Sequence, residues 1–246
     1  MTAAPQDQWR LLDVQAHDTR LAQLAHRRRT LPEHAEVERI NGLLTAVGDR
    51  LVAARTVASD VGRELTKAEA DVEQVRQRAA RNQSRLDSGQ GSAKDLQAIQ
   101  HELQTLAQRQ SVLEEAELEV MERLEAAQAR VAEITAEQER LSGELADVIA
   151  RRDRLVADLD DEATAERAAR ENSVAGLPAD LLALYEKIRE SAGGVGAARL
   201  YQRRCEGCRL ELNTIDLGRI RAAAADTVVR CEECRRILVR TADSGL

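Results

Sequence analysis

A seven-residue repeat of apolar positions runs through residues 37 to 86 and constrains the fold more than any other feature of the chain. One position of the repeat is occupied by Val37, Leu44, Leu51, Ala58, Leu65, Val72, Ala79 and Leu86, and the other by Ile40, Val47, Ala54, Val61, Ala68, Val75 and Asn82. A spacing of 3.5 residues keeps one seam of a helix facing a partner helix along its whole length. The repeat therefore predicts a long coiled-coil helix.

A second repeat with the same spacing follows. Its first seam is Leu96, Leu103, Gln110, Glu117, Leu124, Val131, Gln138, Leu145, Arg152 and Leu159, and its second, wholly apolar seam is Ile99, Leu106, Leu113, Val120, Ala127, Ile134, Leu141, Val148 and Leu155. The polar residues of the first seam predict looser packing on that side. Between the repeats Gly89 and Gly91 provide a turn, and Ser92 with Asp95 has the pattern of a helix N-terminal cap. This arrangement predicts an antiparallel hairpin with its tip at about residues 87–92.

The chain before the first repeat is also helical in pattern, but it is interrupted near Pro32. Thr30 followed by Glu33 matches a capping box, and proline is favoured in a first helical turn. Residues 9 to 28 are therefore predicted to form a separate helix. Because residues 9 to 86 equal the second arm in length, we expect this helix to continue along the same rod, kinked near Pro32.

The four cysteines of the chain form two pairs, "CEGC" at residues 205–208 and "CEEC" at residues 231–234. Two CxxC pairs can complete the tetrahedron that Zn²⁺ prefers, and a site closed by four thiolates is structural rather than catalytic. The metal ligands are therefore predicted to be Cys205, Cys208, Cys231 and Cys234, around one Zn²⁺. A redox-responsive zinc site remains an alternative, while two disulfides or unliganded thiols are disfavoured in a reducing compartment.

The sequence around the cysteine pairs is typical of a zinc ribbon. Runs rich in β-forming residues occur at 210–215, 227–230 and 236–241, and residues 216–225 between them have a helical composition. Gly207 is expected to ease the turn of the first cysteine pair, whereas the second pair must turn without a glycine. Because so few apolar residues are present, the ribbon is expected to fold mainly on the metal.

The predicted fold is mostly α: a long antiparallel coiled-coil hairpin, kinked near Pro32, with a small C-terminal zinc ribbon. The very low aromatic content, 1% with no phenylalanine, is typical of coiled coils rather than of an ordinary globular core. The predicted divisions are the hairpin at 1–172, a short helix with a flexible connector at 173–198, and the ribbon at 199–246. The connector is placed at the glycine-rich stretch "SAGGVGAA".

Charge is distributed unevenly, with a basic tail after an acidic rod. Residues 199–240 contain ten Arg, no Lys and six Asp or Glu, whereas the whole chain has a net charge of −7. The planar guanidinium of arginine binds a phosphate through two parallel hydrogen bonds, which favours nucleic-acid contact. The candidate nucleic-acid-binding residues are Arg203, Arg204, Arg209, Arg235 and Arg236. Against this, the chain prefers Arg to Lys throughout, and Tyr201 is the one aromatic of the tail that could stack on a base. A solvated or protein-docking face therefore stays open.

The sequence favours neither a membrane protein nor an enzyme. No run of about 18 apolar residues occurs, and the N-terminus has no apolar signal region, so we expect a cytoplasmic protein without membrane contact. The histidines lie in charged helical sequence without a second ligand nearby, and are His17, His26, His34 and His101. No grouping of nucleophile, base and acid stands out, so no catalytic residues are predicted.

Three stretches carry a resemblance to a known family: "LPADLLALYEKIRE", "CEGCRLEL" and "VVRCEECRRILV". The chain resembles the bacterial coiled-coil proteins with a C-terminal four-cysteine (C4-type) zinc ribbon. The tip "SAKDLQAIQHELQ" is also similar, although it lacks the family's usual aromatic residue, and no aromatic follows "RRILV". The resemblance implies a long kinked hairpin with a zinc ribbon. Some members of the family are linked to flagellar or secretion machinery, an alternative sigma factor, or RNA, but the resemblance does not carry a particular partner over to this chain.

These observations predict a non-enzymatic cytoplasmic adaptor, whose rod docks a protein and whose Arg-rich ribbon contacts RNA or DNA. The alternative is a pure protein–protein interaction module, such as a chaperone or assembly factor for secretion or transcription machinery. A redox sensor is a third class. Because the two arms of the hairpin match each other, we expect a monomer with an intramolecular coiled coil.

Overall fold

The computed structural model describes residues 1–246, most of which are helical. The helices are α1 (Pro5–Arg29), α2 (Pro32–Asp87), α3 (Ala93–Val174), α4 (Ala179–Ser191) and α5 (Thr214–Ala222), followed by a final 3₁₀ helix (Ala242–Ser244). Contacts divide the chain into a hairpin unit, Ala35–Ile149, and a base unit formed by Met1–His34 with Ala150–Leu246. No helix combines the length and the apolar character needed to cross a bilayer.

The hairpin unit is an antiparallel pair of helices, as the repeats predict. Its ion pairs join residues whose numbers rise along α2 and fall along α3, which only antiparallel helices allow. These pairs are Arg39–Glu144, Arg50–Glu137, Glu64–Arg123, Arg76–Glu114 and Arg78–Glu102. All are substantially exposed, so each contributes about 0–1 kcal/mol to the free energy of unfolding. Their main effect is to favour one register of α2 against α3.

Burial in the hairpin unit follows the predicted seams. Every buried residue of α2 is a predicted core position: Val37, Ile40, Val47, Leu51, Val61, Val72, Val75 and Asn82. The buried residues that α3 contributes to this unit all come from its second seam, and are Ile99, Leu106, Ile134, Leu141 and Val148. The first seam contributes none here, which confirms its looser packing.

The tip of the hairpin lies between Asp87 and Ala93, and its predicted cap is confirmed. The backbone N–H of Asp95 donates to the Ser92 hydroxyl at 3.3 Å, and the Asp95 carboxylate accepts from the Ser92 N–H at 3.0 Å. Two backbone N–H groups at the start of α3, those of Ser92 and Asp95, are therefore paired. Hydrogen bonds from Ser92 also hold the pKa of Asp95 below its usual range.

In the base unit, α1 packs against the C-terminal part of α3 in an antiparallel sense. Ion pairs join Arg20 to Glu162 at 2.7 Å and Arg28 to Asp160 at 3.1 Å. The buried apolar residues at this contact are Leu24 of α1, Leu31 just after it, and Leu159 and Ala163 of α3. The first helix therefore pairs with the distal end of the second arm, as the arm lengths predict.

The predicted break between α1 and α2 is confirmed, but the predicted capping box is wrong. The Thr30 hydroxyl donates back to the carbonyl of His26 at 3.0 Å, so it closes α1 instead of capping α2. Glu33 pairs with Arg151 of α3 at 3.8 Å. Local sequence cannot distinguish the two roles, because a threonine hydroxyl bonds an i−4 carbonyl as readily as a following N–H.

Four short strands form one sheet in the base unit: β1 (Ala197–Tyr201), β2 (Arg204–Cys205), β3 (Val229–Arg230) and β4 (Ile237–Val239). Their order in the sheet is β2-β1-β4-β3. β1 is parallel to β4, with Ala197 opposite Ile237, and the other pairings are antiparallel. The N-terminus joins this region, because Thr2 forms a bridge with Thr227.

The sequence interpretation of the connector is corrected by the structure. The stretch "AARLY", residues 197–201, spans the predicted boundary between connector and ribbon, and it forms β1, one of the two central strands of the sheet. One core is shared by α1, α4 and the sheet, and it contains Ala3, Leu11, Val14, Leu181, Tyr185, Ile188, Ala197, Ile237 and Val239. The ribbon is therefore packed on helices α1 and α4 rather than held on a free linker.

Candidate metal centre

The two cysteine pairs lie on equivalent turns. The N–H of Arg209 donates to the carbonyl of Cys205 at 2.7 Å, and the N–H of Arg235 donates to the carbonyl of Cys231 at 2.9 Å. Both arginines have a left-handed backbone, with φ of 59° and 60°. Because neither is a glycine, each turn holds a strained residue that the surrounding structure must stabilise.

The four sulfur atoms lie close enough to surround a single ion. All are within 4.8 Å of one another, with the Sγ atoms of Cys205 and Cys234 3.8 Å apart and those of Cys208 and Cys231 3.9 Å apart. A tetrahedron with Zn–S bonds of about 2.3 Å has edges of about 3.8 Å. Disulfides need about 2.05 Å and do not fit. The residues present therefore fit one structural Zn²⁺.

The surroundings of the thiols favour a bound cation. Burial raises the pKa of Cys205 and Cys231, although backbone N–H groups of their own turns oppose the rise. Burial acts on Cys234 as well, but hydrogen bonds from Arg236 outweigh it and lower the pKa of that thiol. Buried thiolates that repel one another need a positive charge between them, and Zn²⁺ supplies it.

Gly207 has a different role from the one that the sequence suggested. Its φ lies outside the left-handed region, so the turn does not require a glycine. A Cβ at this position would lie 2.8 Å from Cδ of Arg236 and 2.9 Å from Cβ of Ala198. The glycine provides space for these two side chains, and the glycine-free second pair turns in the same way without one.

Replacing Gly207 with alanine is therefore expected to destabilise the ribbon by about 1–3 kcal/mol, the usual cost of overpacking. The matched control is Gly218→Ala in α5, where an added Cβ meets nothing within 4 Å. That control should be neutral or stabilising by about 0.5–1 kcal/mol. Urea unfolding and the half-time of zinc transfer to a chelator measure both effects. Equal stability of the two variants would contradict this role.

Arg236, a candidate for nucleic-acid contact, is tied into the fold. Its guanidinium donates to the carbonyls of Ala192 at 2.7 Å, Val195 at 3.1 Å and Gly207 at 3.1 Å. Each of its three nitrogens is used, and the residue is half-buried. Arg236 therefore links the segment after α4 to the first cysteine pair.

Arg240 has a similar structural role, which nothing in its local sequence indicates. Its guanidinium donates hydrogen bonds of 2.7 to 3.3 Å to backbone carbonyls at the C-terminal end of α5 and in the loop after it. The carbonyls belong to Ile220, Ala223, Ala224, Ala225 and Thr227. Cations are favoured at helix C-termini because the last carbonyls are unsatisfied there.

The other candidate arginines divide into two groups. Arg203 donates to a backbone carbonyl near the C-terminus at 3.3 Å, and Arg235 pairs with Glu232 at 2.9 Å. Arg204 and Arg209 are exposed, and their side chains make no hydrogen bond or ion pair. The structure thus leaves two of the five candidates, both beside the first cysteine pair, free to contact a ligand.

Sequence reasoning missed a buried polar network around Asp18 of α1. The Asp18 carboxylate accepts from Arg170 at 2.8 and 3.2 Å and from the Tyr185 hydroxyl at 2.7 Å. Arg170 also contacts Glu186, and Arg189 lies 3.6 Å from Asp18. Burial and the bond to Asp18 raise the pKa of Tyr185. The network joins α1, α3 and α4 within the base unit.

Gln15 extends this network to the segment predicted to be flexible. Its side-chain oxygen accepts from the N–H of Gly196 at 2.7 Å and from the Tyr185 hydroxyl at 3.2 Å. Its amide nitrogen donates to the carbonyl of Gly194 at 3.1 Å. Nothing local distinguishes Gln15 or Asp18 from the many polar residues of α1, so no sequence signal could have identified them.

Comparisons with known proteins agree with this architecture. The model of the CT398-like coiled coil hairpin domain matches residues 14–193, and that of the C4-type zinc ribbon domain matches residues 204–238. The chain is 39% identical to protein Rv2229c of Mycobacterium tuberculosis over 98% of both chains. It is 31% identical to protein ML1638 of Mycobacterium leprae, over 88% of this chain and 93% of the relative.

Solved structures give the same result for the fold. A protein from Mycobacterium smegmatis has a TM-score of 0.85 at 37% identity, with 98% of this chain and 100% of that chain covered. CT398 from Chlamydia trachomatis has a TM-score of 0.64 at 14% identity, with 96% and 98% covered. At that identity the likeness concerns the fold alone. The matched hairpin and the four-cysteine centre show that this chain belongs to the CT398-like coiled-coil hairpin family with a C-terminal C4-type zinc ribbon.

Proposed function

We propose that this protein is a non-enzymatic adaptor whose hairpin unit docks another protein and whose zinc ribbon is a metal-stabilised head. A centre filled by four thiolates leaves no coordination position for a substrate, which supports a structural rather than a catalytic ion. Thiolate ligands stay reduced in the cytoplasm, which suits the proposed location. We also propose that the protein acts as a monomer.

The observation that carries this proposal is the incomplete burial of the hairpin unit. No residue of α3 between Leu106 and Ile134 is buried, and Leu118 and Met121 in that interval are 59% and 46% exposed. Two helices alone leave one side of each seam open, and apolar surface of this kind is typical of protein-binding sites. The base unit, by contrast, buries a continuous core.

Nucleic-acid contact by the ribbon is a second candidate function. The exposed and unpaired side chains of Arg204 and Arg209 favour it, because both flank the same cysteine pair and each could contact a phosphate. The structural roles of Arg236 and Arg240 reduce the cationic surface that remains. This candidate therefore rests on fewer residues than the sequence suggested.

Capture from the host cytoplasm separates the two functions. Full-length zinc-loaded protein is expected to retain a protein partner after nuclease treatment, with chemical cross-links that map to residues 35–149. Binding that disappears with nuclease, and that Arg209→Ala weakens more than Arg221→Ala, would favour nucleic-acid contact instead. Arg221 is a matched control because it is also exposed and unpaired. Failure to capture any partner would refute the docking function.

A further inference from the structure

The middle segment of the hairpin unit, residues 57–73 of α2 with 111–128 of α3, differs from its two ends. Val61 and Val72 are the buried residues of the α2 part, and the α3 part has none. Predicted core residues of α3 such as Val120 and Leu124 are half-exposed here. The helices are therefore paired through this stretch, but their shared core is thin.

One face of α3 in the middle segment carries an ordered stripe. Glu114, Leu118, Met121 and Glu125 follow one another at spacings of four, three and four residues, which places them along one side of the helix. Glu114 is held by Arg76 at 2.6 Å, so the stripe lies on the flank of the seam that this ion pair marks. Two exposed apolar side chains are thus bracketed by two carboxylates.

Within the middle segment, α2 also has open space beside its seam positions, at Gly62. An added Cβ at Gly62 of α2 would meet nothing within 4 Å, so the surface there is open. Gly62 is half-exposed and follows Val61, one of the few buried residues of the middle segment. A third helix could approach the seam here without displacing a side chain.

The charge of the middle segment specifies the character of its partner. It contains eleven acidic and three basic residues, a net charge of −8. The carboxylates without an ion pair are Glu69, Asp71, Glu73, Glu115, Glu117, Glu119, Glu122 and Glu125. Such a surface repels phosphate and attracts cations, and complementary charge steers association.

We propose that the middle segment docks a basic amphipathic helix of another protein, which lies along the stripe and completes a three-helix bundle. Its apolar residues cover Leu118 and Met121, and its Lys or Arg side chains face Glu125 and the surrounding carboxylates that have no ion pair. Recognition of this kind uses apolar anchors at helical spacing with flanking charge. The inference rests on the proposed docking function and names the partner class for it.

The test uses a labelled three-heptad peptide with leucine at its a and d positions and lysine at e and g, and a matched peptide with glutamate in place of lysine. We expect fluorescence anisotropy to show binding of the lysine peptide to full-length zinc-loaded protein, weakened by salt, and no binding of the glutamate peptide. Leu118→Ser with Met121→Ser should weaken binding by about tenfold or more. Val112→Ser, which changes a 65% exposed residue outside the stripe, should change it less than about twofold.

A second variant tests the charge separately from the packing. Glu122→Gln with Glu125→Gln should weaken the lysine peptide and reduce its salt dependence, with helicity by circular dichroism unchanged. Absence of binding at low salt, or equal binding to the wild-type and the Leu118/Met121 variant, would overturn the proposal. Light scattering that shows a dimer lost in that variant would assign the surface to a second copy of this chain, and would also overturn it.

The outcome is separable from that of the proposed function. A protein partner that cross-links to residues 35–149 but is insensitive to the Leu118/Met121 variant contradicts the basic-helix inference and leaves the docking function intact. Absence of any captured protein contradicts the docking function itself.

Discussion

Removal of zinc, by chelation or by Cys205→Ser, is expected to unfold residues 197–239 while the hairpin unit keeps its helices. Structural zinc contributes about 10–16 kcal/mol in small finger peptides, which is as large as the whole stability of an ordinary domain. The cluster around the metal is small and includes its own ligands: Ala198, Leu200, Cys205, Ile220, Cys231 and Leu238. Without the ion, no cross-link joins the two cysteine pairs, and the cluster contains thiols that have lost their metal.

Removal of zinc is also expected to affect the N-terminus, which is bonded to the ribbon. The N–H of Ala3 donates to the carbonyl of Asp226 at 2.8 Å, and Met1 accepts from the N–H of Val228 at 3.2 Å. Loss of the sheet therefore releases the start of the chain as well. In the hairpin unit, by contrast, the packing of α2 on α3 involves no residue of the ribbon.

Hydrogen–deuterium exchange on holo and chelated protein measures this effect region by region. Amides of residues 197–239 and of the first few residues should lose protection, and those of 35–149 should not. Arg204→Ala is the matched control for Cys205→Ser, because it changes an exposed neighbour whose side chain makes no hydrogen bond or ion pair. A ribbon that stays protected after the metal is removed would show that the helices alone support it.

The second large effect is expected from Asp18→Ala, which should lower the free energy of unfolding of the base unit by about 3 kcal/mol. The Asp18 side chain is only 5% exposed and faces Arg170, which is 20% exposed. Removal of one partner from a buried ion pair costs about 3–5 kcal/mol, because the remaining charge is left without compensation. Glu186 still contacts Arg170, so the lower end of that range applies.

Glu162→Ala provides the comparison for Asp18→Ala. Glu162 pairs with Arg20 between the same two helices, but both side chains are 48% exposed. Exposed pairs contribute about 0–1 kcal/mol, so this variant should change stability by less than about 1 kcal/mol. Chemical unfolding followed by tyrosine and tryptophan fluorescence reports on the base unit, which contains Trp9 and Tyr185. Similar losses in the two variants would mean that the Asp18 network contributes no more than a surface pair.

Features repeated along the sequence were predictable. Helical pairing and the identity of the buried seam positions follow from the heptad period, and the antiparallel sense follows from the short turn that joins the two repeats. The zinc ligands are equally predictable, because the CxxC spacing itself places two sulfurs on one turn. The tip was predictable because Ser92 and Asp95 cap a helix through contacts only three residues apart.

Features that depend on distant segments of the chain were not predictable from the sequence. Strand β1 begins with two alanines after a glycine-rich stretch, and it becomes a strand only because β4, forty residues later, pairs with it. The sequence suggests that Arg236 binds phosphate, but in the structure its guanidinium donates to the carbonyls of Ala192 and Val195. Thr30 could cap either of two helices, and the structure shows that it closes the first.

The sequence by itself thus determined that the chain forms a two-helix hairpin and a four-cysteine zinc centre, since both are encoded in short, regular spacings. Only the tertiary structure decided which arginines are free, why Gly207 is a glycine, that Asp18 joins three helices, and that Gln15 ties the segment before β1 to them. The physical reason is that the role of a polar side chain depends on the groups within about 3 Å of it. For Arg236, Gln15 and Asp18, the groups that decide the role come from parts of the chain 29 to 181 positions away.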